Sequence, residues 1–301
     1  MMTVYVIVVT FNGIVWIDKC LKSISKSTIP LKTIVVDNAS TDGTQVYVKK
    51  KFPDILFIQN TNNLGFGKAN NLGIEYAIKS GADFVYLLNQ DAWIEDDTIA
   101  EMLKVHYAYP EYGILSPMQY NANMQLDTAF SHNCKISGLF LGNSELTKPV
   151  CDINFVMAAH WLISRECVLT VGGFAPIFQH YGEDNNYIYR AVYHNFKIGI
   201  CTKAIAVHDR ETRNSTSKER ALKSVYVSFL VKATNILLPQ RRIFNAYGNL
   251  FWIVIKYIIK FKSFEPLRIT IMAFSSLKEI IKMRKDCKAK ICIYLNILAF
   301  S

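Results

Sequence analysis

Residues 84–94 read FVYLLNQDAWI. Five residues suited to the middle of a covered sheet run straight into Asn89-Gln90-Asp91, and the chain turns apolar again at Ala92 and Trp93. A carboxylate at the end of a buried strand is costly unless something binds it. The stretch thus marks the end of a strand and asks what Asp91 holds.

Upstream, strand and helix patterns alternate. VYVIVVTF (4–11) is a continuous, β-branched run of the kind found in strands covered on both faces. Trp16, Ile17, Cys20, Leu21 and Ile24 then recur at helical spacing. KTIVVD (32–37) is a second strand, followed by a polar turn over 38–43 and a helix through Val46 to Phe52, its start capped by Ser40, Thr41 or Asp42. ILFIQN (55–60) is a third strand, Phe66 to Lys79 a third helix and FVYLL the fourth strand. Four strands separated by helices predict an α/β fold built on a doubly wound, mostly parallel sheet. In such sheets ligands bind outside the carboxyl ends of the strands. Here those ends carry Thr10, Phe11 and Asn12, then Asp37 and Asn38, then Asn60 to Asn63, then Asn89 and Asp91.

Downstream, EDDTIAEMLKVHYAYP (95–110) is a helix stopped at Pro110, and YGILSPM (112–118) is a strand. Residues 119–152 are polar and irregular and read as a loop or hairpin over the pocket. NFVMAAHWLISRECVLTVGGF (154–174) reads as strand, helix and Gly-Gly turn; FQHYGEDNNYIYRAVYHNF (178–196) as a helix opened by Glu183-Asp184; KIGICTKAIAVHD (197–209) as a closing strand ending at His208.

The 301 residues fit one main domain with an appendage, and 51% hydrophobic against 19% charged residues is the composition of a folded protein. The net charge of +10 is unevenly spread: residues 1–209 hold 16 Lys and Arg against 19 Asp and Glu, residues 210–301 hold 18 against 5. Such a tail suits nucleic acid or an anionic membrane. This one interleaves its charges with bulky apolar residues, as in NLFWIVIKYIIKFKSF (249–264), so helices lying in a membrane interface are expected and nucleic acid is not. Lys256 and Lys260 break the apolar runs below the roughly 18 to 20 residues a spanning helix needs. The alternative is a helical subdomain that packs only on the body. MMTVYVIVVTF (1–11) reads as a strand and not as a signal peptide. Seven scattered cysteines without a CxxC pair argue for a reducing compartment and against a disulfide framework or zinc site.

A dinucleotide is disfavoured, because GxGxxG should follow the first strand and only Asn12-Gly13 does; Gly65-Phe66-Gly67-Lys68-Ala69-Asn70 comes after the third, and a P-loop is absent. A nucleoside diphosphate carrying a transferable group fits better. Asp37 is placed to accept from a base or ribose, the Phe11–Asn12 backbone to line the base, and Asp91 to fix Mg²⁺ or Mn²⁺ bridging to phosphate. Displacement at a sugar carbon needs a base, and Asp184 is favoured, with Glu183 as helper; either could serve merely as a helix-dipole partner. His208 is a second metal ligand, a diphosphate contact or a structural residue. His160 and Trp161 are candidates for an acceptor pocket, although core packing explains an aromatic there equally well.

With those residues in hand, the chain resembles the family 2 inverting glycosyltransferases of the GT-A fold, particularly the bacterial rhamnosyltransferase-like group. The matching stretches are VIVVTFNGIVWIDKCLKSI, IVVDNASTDGT, NNLGFGKANNLGI, YLLNQDAWI, LISRECVLTVGGF and YGEDNNYIYRAV, in order over about residues 3–210. The resemblance implies a UDP- or dTDP-linked donor, a divalent cation at the DxD-like Asn89-Gln90-Asp91, and an Asp base in the Glu183-Asp184 pair. It also implies that the Asn63 to Asn71 segment, with Gly65 in it, helps close the donor site, with Lys68 as a phosphate contact. Asn89 departs from a full DxD and leaves the metal requirement open. A saccharide or lipid-linked acceptor at the cytoplasmic membrane face would follow, with the enzyme peripheral on the inner face; a homo-oligomer is compatible with this. The expected organisation is a catalytic domain over 1–210, with a nucleotide-sugar half (1–94) and an acceptor half (95–210), and a helical, basic-apolar extension over 211–301. The rival readings are a nucleotidyltransferase, which would want a Gly-rich, basic stretch after the first strand, and a non-catalytic binding module, which need not keep the acidic pair.

Overall fold

The structure is a computed structural model and describes residues 2–139, 147–209, 217–289 and 293–297. Strands β1 (Val4–Thr10), β2 (Lys32–Asp37), β3 (Leu56–Gln59) and β4 (Phe84–Asn89) lie parallel in the order β3-β2-β1-β4. Helices α1 (Ile17–Ser25), α2 (Thr44–Lys51) and α3 (Phe66–Lys79) connect them. The alternation of side chains along each strand fills both faces of the sheet. Ile7, Ile34, Val36, Val85 and Leu87 point into one core, and Val6, Val8, Val35, Phe84 and Leu88 into the other, which is why these runs are apolar throughout. Pairing of Thr10 with Asp37, Asp37 with Gln59 and Val9 with Asn89 brings the four carboxyl ends level.

Beyond β4 the sheet is mixed. β8 (His160–Ser164) runs antiparallel to β4 and to β6 (Tyr112–Tyr120). β9 (Lys197–His208) runs parallel to β6, and β5 (Ala92–Ile94) closes the edge antiparallel to β9. β5 is the continuation of the opening stretch: the chain leaves β4 at Asn89, turns through Gln90-Asp91, and pairs Ala92 with His208. Helices α4 (Thr98–Ala108), α6 (Arg165–Val171) and α7 (Glu183–Tyr193) complete this half.

Of residues 119–152, expected as an irregular loop or hairpin, 140–146 lie outside the described residues, and the others are more regular than expected. They contain α5 (Thr128–Ile136), whose cap Asp127 accepts a 2.8 Å bond from the Phe130 N–H, and β7 (Val150–Asp152), paired with β9. Phe130 and Cys134 of α5 enter the main core. Of the three residues expected to cap α2, Asp42 accepts the N–H of its first residue, Thr44, at 3.1 Å, while Ser40 and Thr41 bond Asn12 and Gly43 directly precedes the helix. Six cysteines, 20, 134, 151, 167, 201 and 287, are buried free thiols.

The remaining helices are α8 (Lys218–Thr234), α9 (Arg242–Phe261), α10 (Leu267–Ser275) and α11 (Leu277–Asp286). They build a third apolar cluster around Phe229, Leu230, Leu250 and Ile280, and this cluster takes in Ala175 and Phe178 from the segment just before α7. The buried Arg284 guanidinium ties the bundle together by donating to the carbonyls of Ala233, Asn235 and Leu238. Among the described residues no helix is long and apolar enough to cross a membrane.

Candidate active site

The level carboxyl ends of the strands are clasped to one another by side chains. Gln90 Oε1 accepts from the Thr10 hydroxyl (2.7 Å) and the Phe11 N–H (2.9 Å), and Gln90 Nε2 donates to the Phe11 carbonyl (3.2 Å). Asn12, in the left-handed region at φ 49°, receives the Thr41 N–H on Oδ1 (2.8 Å) and donates its own N–H to Ser40 Oγ (2.9 Å). Asn38 accepts from Asn60 Nδ2 (2.9 Å) and donates from Nδ2 to the Gly65 carbonyl (3.3 Å). Each such bond fixes one loop against the next strand end.

A cleft of about 930 Å³ opens over this platform. Phe11, Asn63, Gly65, Lys68, Asn89, Gln90, Asp91, Glu183, Asp184 and His208, all singled out from the sequence, line it together. Thr10, Asn12 and Asp37 do not. Thr10 and Asp37 are fully buried behind the cleft wall. Asp37 Oδ2 accepts from the Ser40 N–H (3.0 Å) and Gln45 Nε2 (2.9 Å), holding the turn that presents Asn38, and its Oδ1 has no hydrogen-bond partner.

Asp91 is answered by His208. The β5–β9 pairing places His208 Nε2 3.3 Å from Asp91 Oδ1, with both side chains almost fully buried, and Asn89 Nδ2 lies 3.5 Å from the same nitrogen. His160 sits behind this pair. Its Nδ1 is 3.1 Å from the Tyr86 hydroxyl, its Nε2 3.3 Å from the Val207 carbonyl, and its ring meets the His208 ring edge to face at 6.1 Å. His160 therefore stands fully buried behind His208 and does not line the cleft, where it was expected to meet an acceptor.

Trp161 is the second correction. It is wholly buried between strands, stacked on Phe174 at 6.2 Å and tilted against Tyr187 at 5.8 Å. It alternates with His160 along β8, so one points to each face of the sheet and neither reaches the cleft.

A carboxylate oxygen beside an imidazole nitrogen is a donor pair suited to Mn²⁺, and its oxygen suits Mg²⁺. Among the described residues no group of three or more His, Cys, Asp or Glu side chains is placed to hold a metal. Asp91 and His208 are therefore the described residues that could hold a divalent cation, which would need further ligands from outside this pair.

Across the cleft, α7 begins with Glu183 and Asp184 after Tyr181 (φ 71°) and Gly182 (φ 89°). Two consecutive residues with positive φ swing the chain so that the helix start faces the cleft. Glu183 is only 5% exposed, packed over Gly67 of α3, with Oε2 unbonded. Burial, and next the Asp184 charge, push its carboxyl up to about 8. Asp184 is half-buried and accepts the Asn185 N–H at 2.8 Å. The helix behind them is anchored by Arg190, which donates to Asn186 Oδ1 (3.0 Å) and to the carbonyls of Val171 (2.7 Å) and Gly173 (2.6 Å).

The cleft also includes residues that the sequence reading did not assign to it. Trp16 lines it although its helical spacing with Ile17 suggested core. Met157, in the stretch read as a strand, and His180 and Tyr181, in the stretch read with the following helix, lie in irregular segments before β8 and α7. Lys223 arrives from α8, nearly forty residues after Asp184, and its charge acts on Glu183 in the downward direction. Only its position one residue after the buried Leu222 hinted at a side chain near the body.

Comparison with known proteins agrees with this geometry. A curated hexosyltransferase of Haloferax volcanii, "Low-salt glycan biosynthesis hexosyltransferase Agl10", is 26% identical over 207 residues, 65% of this chain and 64% of that protein. The "N-acetylglucosaminyl-diphospho-decaprenol L-rhamnosyltransferase" of Mycobacterium tuberculosis is 30% identical over 122 residues, 38% of this chain and 40% of that protein. The chain thus spans less than two thirds of the length of these relatives. Among solved structures, S. aureus TarS 1–349 in complex with UDP-GlcNAc superposes with a TM-score of 0.59 at 17% identity, over 95% of this chain and 88% of that one. GalNAc-T7 with UDP, GalNAc and Mn²⁺ superposes with a TM-score of 0.55 at 14% identity, over 82% and 54%. These two show a shared fold. The family model described as "Glycosyl transferase family 2" matches residues 5–165, more than half of the chain and every strand end of the platform, and the chain belongs to that family.

Proposed function

We propose that the chain is an inverting glycosyltransferase that moves a sugar from a UDP- or dTDP-linked donor, dTDP-rhamnose among the candidates, to a hydroxyl of a saccharide or lipid-linked saccharide in surface glycan synthesis. The observation that carries this reading is the shared cleft: the Asp91–His208 pair, 3.3 Å apart, and the Asp184 carboxylate open into the same space. The named relatives act in glycan synthesis, one of them as a hexosyltransferase and one on a diphospho-decaprenol-linked sugar, and this supports the substrate class. The 211–301 helices act as an extension to a catalytic domain over 1–210, and the reaction takes place at the inner face of the cytoplasmic membrane.

In this reading Phe11, Asn38 and Asn63 flank the nucleoside, and Lys68 and Lys223 offset phosphate charge. Asp91 and His208 would hold Mg²⁺ or Mn²⁺, which supplies countercharge to the diphosphate. Asp184 takes the proton of the acceptor hydroxyl. The acceptor oxygen forms its bond to the anomeric carbon as the bond from that carbon to the diphosphate oxygen breaks, and the diphosphate leaves with the electron pair. Attack opposite the leaving group inverts the anomeric centre. Glu183, protonated over much of the neutral range, keeps a second negative charge away from Asp184 and so leaves Asp184 to act as base. Tyr181, 48% exposed on the cleft wall beside Asp184, takes the acceptor-facing place that Trp161 does not.

The deciding experiment is a donor-hydrolysis screen across nucleotide-sugars with Mg²⁺ or Mn²⁺, since slow cleavage needs no known acceptor. One donor should be cleaved well above the others, and strong chelation should suppress cleavage. A chain that binds a nucleotide-sugar tightly yet cleaves none, with or without saccharide acceptors, would instead be a binding module.

A further inference from the structure

Helix α9 carries three strips of residues. Ile243, Ala246, Leu250 and Val254 recur at three- and four-residue spacing and are buried in the C-terminal cluster. Arg242, Asn249, Lys256 and Lys260, at spacings of seven, seven and four residues, share a polar strip. Between these two runs an outward apolar strip: Phe244 is 79% exposed, Ile259 71% and Trp252 65%, with Phe251 beside them. A helix that only packs on a body in water needs the first strip and has no use for the third.

The strip continues onto α10. Leu267, Ile271 and Phe274, at four- and three-residue spacing, are all exposed there. Tyr247 joins the two helices: its ring lies 5.1 Å from the Phe274 ring and its hydroxyl donates to the Ala273 carbonyl at 2.6 Å. The result is one aromatic and aliphatic patch across two helices, of a size that isolated surface residues do not produce.

We infer that this α9–α10 face docks on an anionic lipid bilayer, lying in the headgroup region with Phe244, Phe251, Trp252 and Ile271 inserted. Charge selects this occupant. Residues 210–301 carry 18 Lys and Arg against 5 Asp and Glu, and Lys256 and Lys260 flank the apolar strip at the level where headgroups lie. A second copy of the chain would bring two such basic strips together, and an apolar protein partner leaves them unused. The face is also tied to the cleft. α8 supplies Lys223 to the cleft, while its Phe229 ring packs 4.8 Å from Tyr247 and its Tyr226 hydroxyl bonds Ser276 Oγ at 2.7 Å. One helix thus links the membrane-facing patch to the cleft, and the lipid surface and the reaction centre keep a fixed relation. This docking stands on the patch and its charge and does not depend on the donor reading.

The test is flotation of the full chain with vesicles of phosphatidylcholine alone and of phosphatidylcholine mixed with phosphatidylglycerol, together with quenching of tryptophan emission by brominated lipid. The chain should float with the anionic vesicles and its emission should be quenched, with the quenching lost in Trp252→Phe. Lys256→Glu combined with Lys260→Glu, and separately Phe251→Ser combined with Ile259→Ser, should each lower partitioning about ten-fold or more. Equal partitioning of wild type and both variants, or quenching unchanged in Trp252→Phe, overturns the inference. So does a wild-type dimer in light scattering that Phe251→Ser dissolves while no vesicle binding is seen. If a variant fails to fold, the wild-type quenching measured against Trp252→Phe still decides. Donor cleavage in the absence of lipid is read separately, so loss of docking and loss of the transferase reading are distinct results.

Discussion

Glu183 and Asp184 are neighbours in the chain that line one cleft but differ in burial, and the roles proposed for them rest on that difference. Asp184 is half-buried on the cleft wall, while Glu183 on the same wall is almost fully buried beside Gly67, with a carboxyl raised to about 8. Asp184→Asn should lower transfer by roughly 10² to 10⁴-fold while nucleotide binding, measured by calorimetry, changes little. Glu183 gives a stability signature. Its folded-state value lies above the ordinary 4.5, so between 4.5 and about 8 the folded chain binds a proton that the unfolded chain has released. Stability therefore falls as pH rises through that window. Urea unfolding should show this slope in wild type and a shallower one in Glu183→Gln. Equal slopes would show that Glu183 does not carry it.

At the scale of elements, the start of α7 is set by backbone as much as by side chain. Gly182 sits at φ 89°, and an added Cβ would lie 2.8 Å from Val231 Cγ2 and 2.9 Å from Phe178 Cε1. Gly43, which starts α2 at φ 92°, has nothing within 4 Å of the same position. Gly43→Ala should cost about 1 kcal/mol from the left-handed conformation alone. Gly182→Ala should cost more, because α8 or Phe178 has to move, and it should also lower kcat by displacing Asp184. Denaturant midpoints and initial rates measured on both variants check the ordering. The β5–β9 pairing is the other element of the site, since it alone brings Asp91 and His208 together. Asp91→Ala should abolish whatever part of donor cleavage strong chelation abolishes; cleavage that survives both would remove the cation from the scheme.

For the whole molecule, the C-terminal helices are part of the cleft. They share a core with Phe178 and send Lys223 to the acidic pair. Lys223 lowers the Glu183 value, so Lys223→Ala should shift the stability slope to higher pH and raise the donor KM with a smaller change in kcat. An unchanged KM would confine Lys223 to the surface.

The sequence by itself determined the parallel half of the sheet, because strands covered on both faces must be continuously apolar and the polar residues that end them then mark the ligand side. It also determined the acidic pair and the basic, apolar tail, which are local in composition. Tertiary structure alone decided where two adjacent residues of β8 point, and that neither reaches the cleft. His160 and Trp161 are indistinguishable as candidates in the sequence, yet β8 runs antiparallel in the interior of the sheet and sends one to the back of His208 and the other into an aromatic core. Asp91 finding His208 across β5 and β9, α5 forming within a polar stretch, and Lys223 reaching Glu183 from α8 rest on long-range pairing. No periodicity within a single segment encodes a partner forty or more residues away, so these were settled by how the sheet and helices close on one another.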